Sequence, residues 1–338
     1  VPVEGVALRR MGFLTIGSFD PADPGPGHET TLQVVELGER LGLDSAWLRH
    51  RHLQPGISSP VAVLAALTQR TSRIHLGTAV TPLGWENPLR LAEDLATVDV
   101  LAHGRLNPGV SVGPPMQWEH VKGSLYPDTA DVEDFSYERV LRLHRFLRGD
   151  RASDFAGTQG IEVFSDRVEP HSPGLADRLW YGGASLRSAQ WAGSQGLNLL
   201  ASSVVRAEGG STDFAQVQAS HLRGFAELNP TGRTSQGLVV IPTDSATPEQ
   251  VGKYRAYVDS RSARVGVPQG PGQLLFAQDL LGSSAELAER LWADAGFQLV
   301  DEVVFALPFG FEHEDYVQIL TDMATHLGPR LGWAPATA

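Results

Sequence analysis

Four groups of residues in this chain have types and spacings that can do chemistry. The run Arg49-His50-Arg51-His52 sets two imidazoles two positions apart among guanidiniums. A neutral imidazole, with an ordinary pKa near ~6.5, suits proton transfer near neutral pH, and Arg51 can hold negative charge on a substrate or a reduced cofactor. Two histidines could also bind a metal, but the interleaved arginines and the lack of a carboxylate beside them in the sequence argue against it. No metal is expected. The turn Gly182-Gly183-Ala184-Ser185-Leu186-Arg187 has glycines that let backbone amides converge on an anion, ahead of a helix whose first N–H groups are unpaired. Ser185 adds a hydroxyl donor and Arg187 a bidentate one. The same turn also reads as a plain strand-to-helix connection with Ser185 as N-cap. Thr78-Ala79 and the pair Ser111 and Gly113 are small residues at strand ends, where a flat ligand could approach the backbone, and they read equally well as small residues on buried strands.

These groups need elements to position them. The segment Arg73 to Gly113 reads as strand, turn, helix and strand: Arg73 to Val80, a helix opened by Asn87-Pro88 and running to Gly104, then Arg105 to Gly113. That is a βαβ crossover, which requires a parallel sheet covered on both faces. The helix carries Leu91, Leu95 and Val98 on one face and Glu93, Asp94 and Asp99 on the other. Earlier strands are expected at Met11 to Gly17 and Asp44 to Leu48, with helices at His28 to Leu41 and after Ser58-Ser59-Pro60. Later strands are expected at Arg178 to Gly183, Leu197 to Ser202, Gln236 to Ile241 and Asp301 to Leu307.

Eight strands alternating with helices, and no Gly-x-Gly-x-x-Gly after the first, favour a (β/α)8 TIM barrel over an open doubly wound sheet. Two insertions are expected, after strands 4 and 7: the polar segment from Pro114 to about Asp134, long enough to act as a lid, and the Gly/Pro-rich Arg264 to Gly282. A hairpin is expected at Ile161 to Val168. In such barrels the carboxyl ends of the strands carry the site, so all four groups fall at one end. Trp85, Trp180 and Tyr181 are aromatic candidates for a ring-binding pocket, and Trp85, in a loop, is the strongest of them. Asp301 and Glu302 belong to the opposite, stability-bearing face.

Composition excludes several classes. Among 338 residues, 27 Lys and Arg stand against 39 Asp and Glu, a net charge of -12 that disfavours nucleic acid and anionic membranes. Zero cysteines exclude disulfides, thiolate metal sites and a cysteine nucleophile, and agree with a cytoplasmic setting. No apolar run approaches the roughly 20 residues of a membrane span. Residues 11–335 are expected to form a single domain, with 1–10 as an N-terminal extension that lacks a signal peptide's apolar core.

The ordered set Gly77-Thr78-Ala79-Val80, Asn87-Pro88-Leu89-Arg90-Leu91-Ala92-Glu93-Asp94 and Gly104-Arg105-Leu106 through Gly113, with Met11 to Asp20, Gly42 to Leu53 and Tyr181 to Gly196, resembles the bacterial luciferase-like monooxygenases, flavin-dependent barrels. The resemblance implies that Gly182, Gly183, Ala184, Ser185, Leu186 and Arg187 hold the phosphate of a flavin mononucleotide. It also implies that Thr78, Ala79, Ser111 and Gly113 lie at the flavin ring, with a non-prolyl cis peptide common at the Thr78-Ala79 strand end. Where the family commonly has Glu-His-His, this chain has His50-Arg51-His52; His52 is left as acid or base and Arg51 as an anion holder.

The implied function is oxidation of a small organic substrate with reduced FMN, as cosubstrate from a separate NAD(P)H flavin reductase, and molecular oxygen. A homodimer packing early helices around Leu64 and Leu91 is also implied. Alternatives are an oxidoreductase using the deazaflavin coenzyme, disfavoured because only Arg187 is cationic in the phosphate turn, a non-catalytic flavin-binding protein, and a metal-dependent hydrolase.

Overall fold

The structure is a computed structural model and describes residues 8–336. Of the ten residues set aside as an extension, 1–7 lie outside the described residues; Leu8 is buried and Arg10 opens the first strand. The barrel strands are β1 (Arg10–Thr15), β2 (Ser45–Leu48), β3 (His75–Thr78, continued by Thr81–Pro82), β4 (Leu106–Asn107 and Gly109–Ser111), β5 (Trp180–Gly182), β6 (Asn198–Ala201), β7 (Thr234–Gln236) and β8 (Glu302–Ala306). All pair in parallel, each with the next, and β8 returns to β1. The ten parallel segments make eight strands because β3 and β4 are each interrupted. Pro108, which has no N–H to donate, breaks the ladder of β4, although its carbonyl still accepts from Trp180 N–H at 2.8 Å. The expected (β/α)8 barrel is what these pairings close.

Helices wrap the barrel: α1 (Pro24–Arg40), α2 (Pro60–Thr68), α3 (Pro88–Leu101), α4 (Trp118–Leu125), α5 (Glu138–Arg148), α6 (Leu186–Ser194), α7 (Phe214–Leu228), α8 (Pro248–Ser262), α9 (Ser284–Ala293) and α10 (His313–Asp322). Asn87 caps α3 by accepting from Leu89 and Arg90 N–H, as its place before Pro88 foretold. Inside the barrel, Trp47 and Trp180 meet edge to face at 5.5 Å, with Leu200 and Val304 beside them. Gly77 makes room for this pair, since a Cβ there would lie 2.3 Å from the Trp47 ring. Above the indoles, Leu14, Ala79 and Val80 form a partly buried apolar layer.

Several expectations are corrected. Asp99 is not on the solvent face of α3. It is fully buried and accepts from Leu106 N–H, Ser172 Oγ and two nitrogens of Arg178, so the charge is buried because it is paired and hydrogen-bonded. Strand 7 lies at Thr234–Gln236, ahead of the expected apolar run; Val240–Pro242 instead pairs with Leu280–Gly282 outside the barrel. Polar Gln236 can occupy the barrel because its Nε2 donates to Gln218 and Asp294.

No helix is expected from the sequence at α4, inside the first insertion, or at α7 and α9. The hairpin pairs Gly157–Gln159 with Glu162–Phe164, a few residues earlier than expected. Leu64 and Leu91 are in this chain's own core, where α2 packs on α3, so they offer no face to a partner. On the stability face, Glu302 is buried and bonded through both oxygens to Arg233, whose guanidinium lies 4.7 Å from the Trp180 ring.

Candidate active site

The carboxyl end of β2 delivers Arg49 to His52, and the carboxyl end of β3 delivers Ala79 and Val80, joined by a non-prolyl cis peptide. The bond expected at Thr78-Ala79 thus falls one residue later. Thr78 does not offer its hydroxyl to a ligand. It is buried, donates to the Gly109 carbonyl at 2.8 Å and accepts from Gly109 N–H at 2.9 Å, which ties β3 to β4. Ala79 and Val80 are the residues left partly open. Gly182, at the end of β5, lets Val80 sit against it, because a Cβ there would be 2.7 Å from Val80 Cγ1. Ser111 pairs with Pro82 at the end of β4, and Gly113 turns the chain into the first insertion with φ +115, a conformation that favours glycine.

His50 and His52 come together with two residues from the loop after β3. The rings of His50 and His52 are 4.4 Å apart, and His52 stacks on Trp85 at 4.0 Å with an 11° tilt. His50 Nε2 lies 2.9 Å from the Ser58 carbonyl. A carbonyl only accepts, so Nε2 carries the proton and neutral His50 has its lone pair on Nδ1. His50 Nδ1 and His52 Nε2 are buried without a hydrogen-bond partner among the described residues. Such groups are costly to bury unless something meets them.

Glu86 Oε1 is 3.9 Å from His50 Nε2. Burial, and then the charge of Asp94, push the Glu86 carboxyl up to about 7; burial, and then His52, push His50 down to about 4. The two shifts oppose ionisation of both partners, so at neutral pH this is no fixed ion pair but a dry cluster able to hold or release a proton. Burial lowers the pKa of His52 as well, favouring the neutral ring. Arg51 is half-buried, with its backbone N–H bonded to the Ile57 carbonyl at 2.7 Å.

Glu86 carries no local mark of its role. It lies 34 positions from His52 in the sequence, and its nearness supplies the carboxylate whose absence had argued against a cation: donor atoms of His50, His52 and Glu86 lie within 4.8 Å of one another.

The first insertion fixes this loop through Arg139. Its guanidinium, buried at the start of α5, donates to the carbonyls of Leu83, Glu86 and Asp134, to Tyr126 Oη and to Glu133. Tyr126 Oη in turn donates to the Gly84 carbonyl at 3.0 Å. Nothing local in the sequence marks Arg139, which reads as one more arginine on a basic helix.

The aromatic candidates separate. Trp85 belongs to the site. Trp180 is core, and Tyr181 packs at 5.0 Å on Trp191 of α6, away from the histidines. The Gly182 to Arg187 turn has the capped geometry: Ser185 Oγ accepts from Ser188 N–H at 3.2 Å, and Ser188 Oγ accepts from Ser185 N–H at 3.1 Å. The Leu186 N–H is taken by the carboxylate of Glu208, at 3.0 and 3.2 Å. A carboxylate of the chain itself therefore stands where an anion was expected, and it already takes the Leu186 amide.

A closed parallel barrel with its polar cluster at the carboxyl ends of the strands defines a class of enzyme-like folds. The family profile described as luciferase-like monooxygenase matches residues 10–307, and the chain belongs to that family. Limonene 1,2-monooxygenase of Rhodococcus erythropolis is 26% identical over 268 residues, 70% of this chain and 68% of that protein. The 4-hydroxyprotoasukamycin monooxygenase of Streptomyces nodosus subsp. asukaensis is 32% identical over 130 residues, 38% of this chain, which spans only 34% of that relative's length. Among solved structures, a monooxygenase from Streptomyces bottropensis superposes with a TM-score of 0.69 at 18% identity, covering 95% of this chain and 99% of that one. The oxygenating constituent of 3,6-diketocamphane monooxygenase of Pseudomonas putida, in complex with FMN, gives 0.66 at 13% identity over 96% and 98%. A coenzyme F420 dependent tetrahydromethanopterin reductase of Methanopyrus kandleri gives 0.61 at 16% over 96% and 99%. These likenesses carry the fold.

Proposed function

We propose that the chain is a flavin-dependent monooxygenase that oxidises a small organic substrate with reduced FMN and molecular oxygen, the flavin coming from a separate NAD(P)H flavin reductase. The observation that carries this reading is the joint placement, at one end of a luciferase-like barrel, of an apolar floor and two buried imidazole nitrogens without partners. Leu14, Ala79 and Val80 would offer that floor to a flat ring, with Ser111 and Gly113, at the end of β4, as further contacts. Gly182, Gly183, Ala184, Ser185, Leu186 and Arg187 would face the terminal phosphate. When bound, the reduced flavin supplies the electrons with which oxygen is activated.

The protein's own residues do the rest. His52, held flat against Trp85, exchanges a proton with the reacting group. His50, proton on Nε2, accepts at Nδ1. Glu86, near its midpoint at neutral pH, refills or drains the pair. Arg51 holds negative charge. The insertion pinned by Arg139 walls one side of the mouth against water. A homodimer formed away from Leu64 and Leu91, in a cytoplasm that supplies NAD(P)H, completes the reading.

The test is oxygen uptake with FMN kept reduced by an added reductase. Uptake that rises on adding candidate substrates supports the reading; flavin binding with no substrate-dependent uptake would leave a flavin-binding protein without turnover. Metal analysis of the purified protein addresses the three-donor cluster directly: stoichiometric metal would replace proton transfer by cation binding at His50, His52 and Glu86.

A further inference from the structure

Glu208 lies just past the strand segment Val204–Arg206 that follows β6, far in sequence from the turn it reaches. Its two oxygens accept the Leu186 N–H, and Oε2 is 2.6 Å from Nε2 of His221, a buried residue of α7. The contact is braced on the backbone: Arg206 N–H donates to the Ala184 carbonyl at 2.6 Å and Ser211 N–H to the Glu208 carbonyl at 3.1 Å. Ser185 and Ser188 satisfy each other's amides. Among the described residues, Arg187 then keeps the one first-turn N–H of α6 with no partner inside the chain. An incoming phosphate finds the best-placed amide already bonded to a carboxylate, which would sit against it as a like charge.

We propose that Glu208 is a specificity-determining residue: it competes with the terminal phosphate of a flavin for the start of α6, so that in the native chain the phosphate adds little to binding. This rests on the flavin reading above and deepens it, since it assigns the choice between phosphorylated and unphosphorylated flavins to one carboxylate. The cleft beside it, lined by Leu186, Arg187, Gln190, Gly209 and Ser220, leaves room for the phosphate end once Glu208 is removed or displaced. A hydrogen bond from a backbone amide to a charged group is worth about 1.5–3 kcal/mol, which corresponds to roughly ten- to hundredfold in affinity.

The experiment compares dissociation constants of FMN and riboflavin, by quenching of flavin fluorescence, for the native protein, Glu208→Gln and Glu208→Ala. The native protein is expected to bind the two flavins within about threefold of each other, and both variants to tighten FMN by about tenfold or more with riboflavin unchanged. A native preference for FMN of about tenfold or more overturns the proposal, and that readout stands even if neither variant folds. An FMN-to-riboflavin ratio that the substitutions leave unchanged overturns it too, while the flavin reading survives. Failure of the native protein and both variants to bind either flavin overturns the flavin reading and this proposal together.

Discussion

At the residue scale, the site is a dry cluster in which burial, more than any charge partner, sets protonation. Glu86 prefers its neutral form in the fold, with its pKa raised from 4.5 to about 7. Its contribution to stability is therefore fully present below pH 4.5 and is lost as pH rises through 7. His50 acts in the opposite window: lowered from 6.5 to about 4, it contributes above pH 6.5 and loses that contribution as pH falls through 4. Substitution separates the two. Glu86→Gln stays neutral at every pH, so its melting temperature is expected to gain on the native protein between pH 5 and pH 8, by the equivalent of about 1–3 kcal/mol; a constant difference across that range would refute a buried, neutral Glu86. For His52, replacement by alanine is expected to lower substrate-dependent oxygen uptake by roughly 100-fold or more, the usual scale for a lost acid–base group, while flavin affinity changes little. Equal loss of binding and turnover would make His52 a packing residue under Trp85.

At the element scale, the loop after β3 and the insertion after β4 form one unit through Arg139. Removing that side chain leaves the Glu86 and Asp134 carbonyls without their donor and takes one of two donors from the Leu83 carbonyl and the Glu133 carboxylate. Arg139→Ala is expected to cost on the order of 3 kcal/mol, read as a lower denaturant midpoint, and to shift the Glu86-dependent pH profile because the loop carrying Trp85 and Glu86 loosens. A fall in stability with that profile intact would place Arg139 outside the site.

The same unit marks where the sequence was readable. The segment Arg73 to Gly113 was legible because Gly, Pro and Asn punctuate it and its apolar spacing follows helix and strand periods, and β3, α3 and β4 lie where that reading put them. Strand β7 was not, because it is short and polar, and Gln236 is made buriable by Gln218 and Asp294, partners from other elements. Asp99 was misread for the same reason: a carboxylate on a helix reads as solvated until Arg178 is seen beside it.

At the scale of the whole molecule, the barrel closes from parallel strands whose apolar interior is capped at one end by the Arg233–Glu302 pair and opens at the other on the histidine cluster. Half of the candidate site could be read from the chain alone: His50, Arg51 and His52 follow a strand, so topology sends them to the open end. Glu86, Arg139 and Glu208 could not, since each acts by reaching a residue distant in sequence and none carries a local mark. The turn Gly182 to Arg187 was correctly placed as a strand-to-helix turn, but what its amides bond to depends on Glu208, from another loop.

Whether a flavin occupies this barrel is decided by anaerobic titration of the purified protein with reduced FMN and, separately, with the reduced deazaflavin coenzyme. Saturable binding of reduced FMN at one site per chain is expected, weakened by a bulky substitution such as Ala79→Trp at the floor of the mouth. Binding of the deazaflavin alone, or FMN binding indifferent to Ala79→Trp, would contradict it.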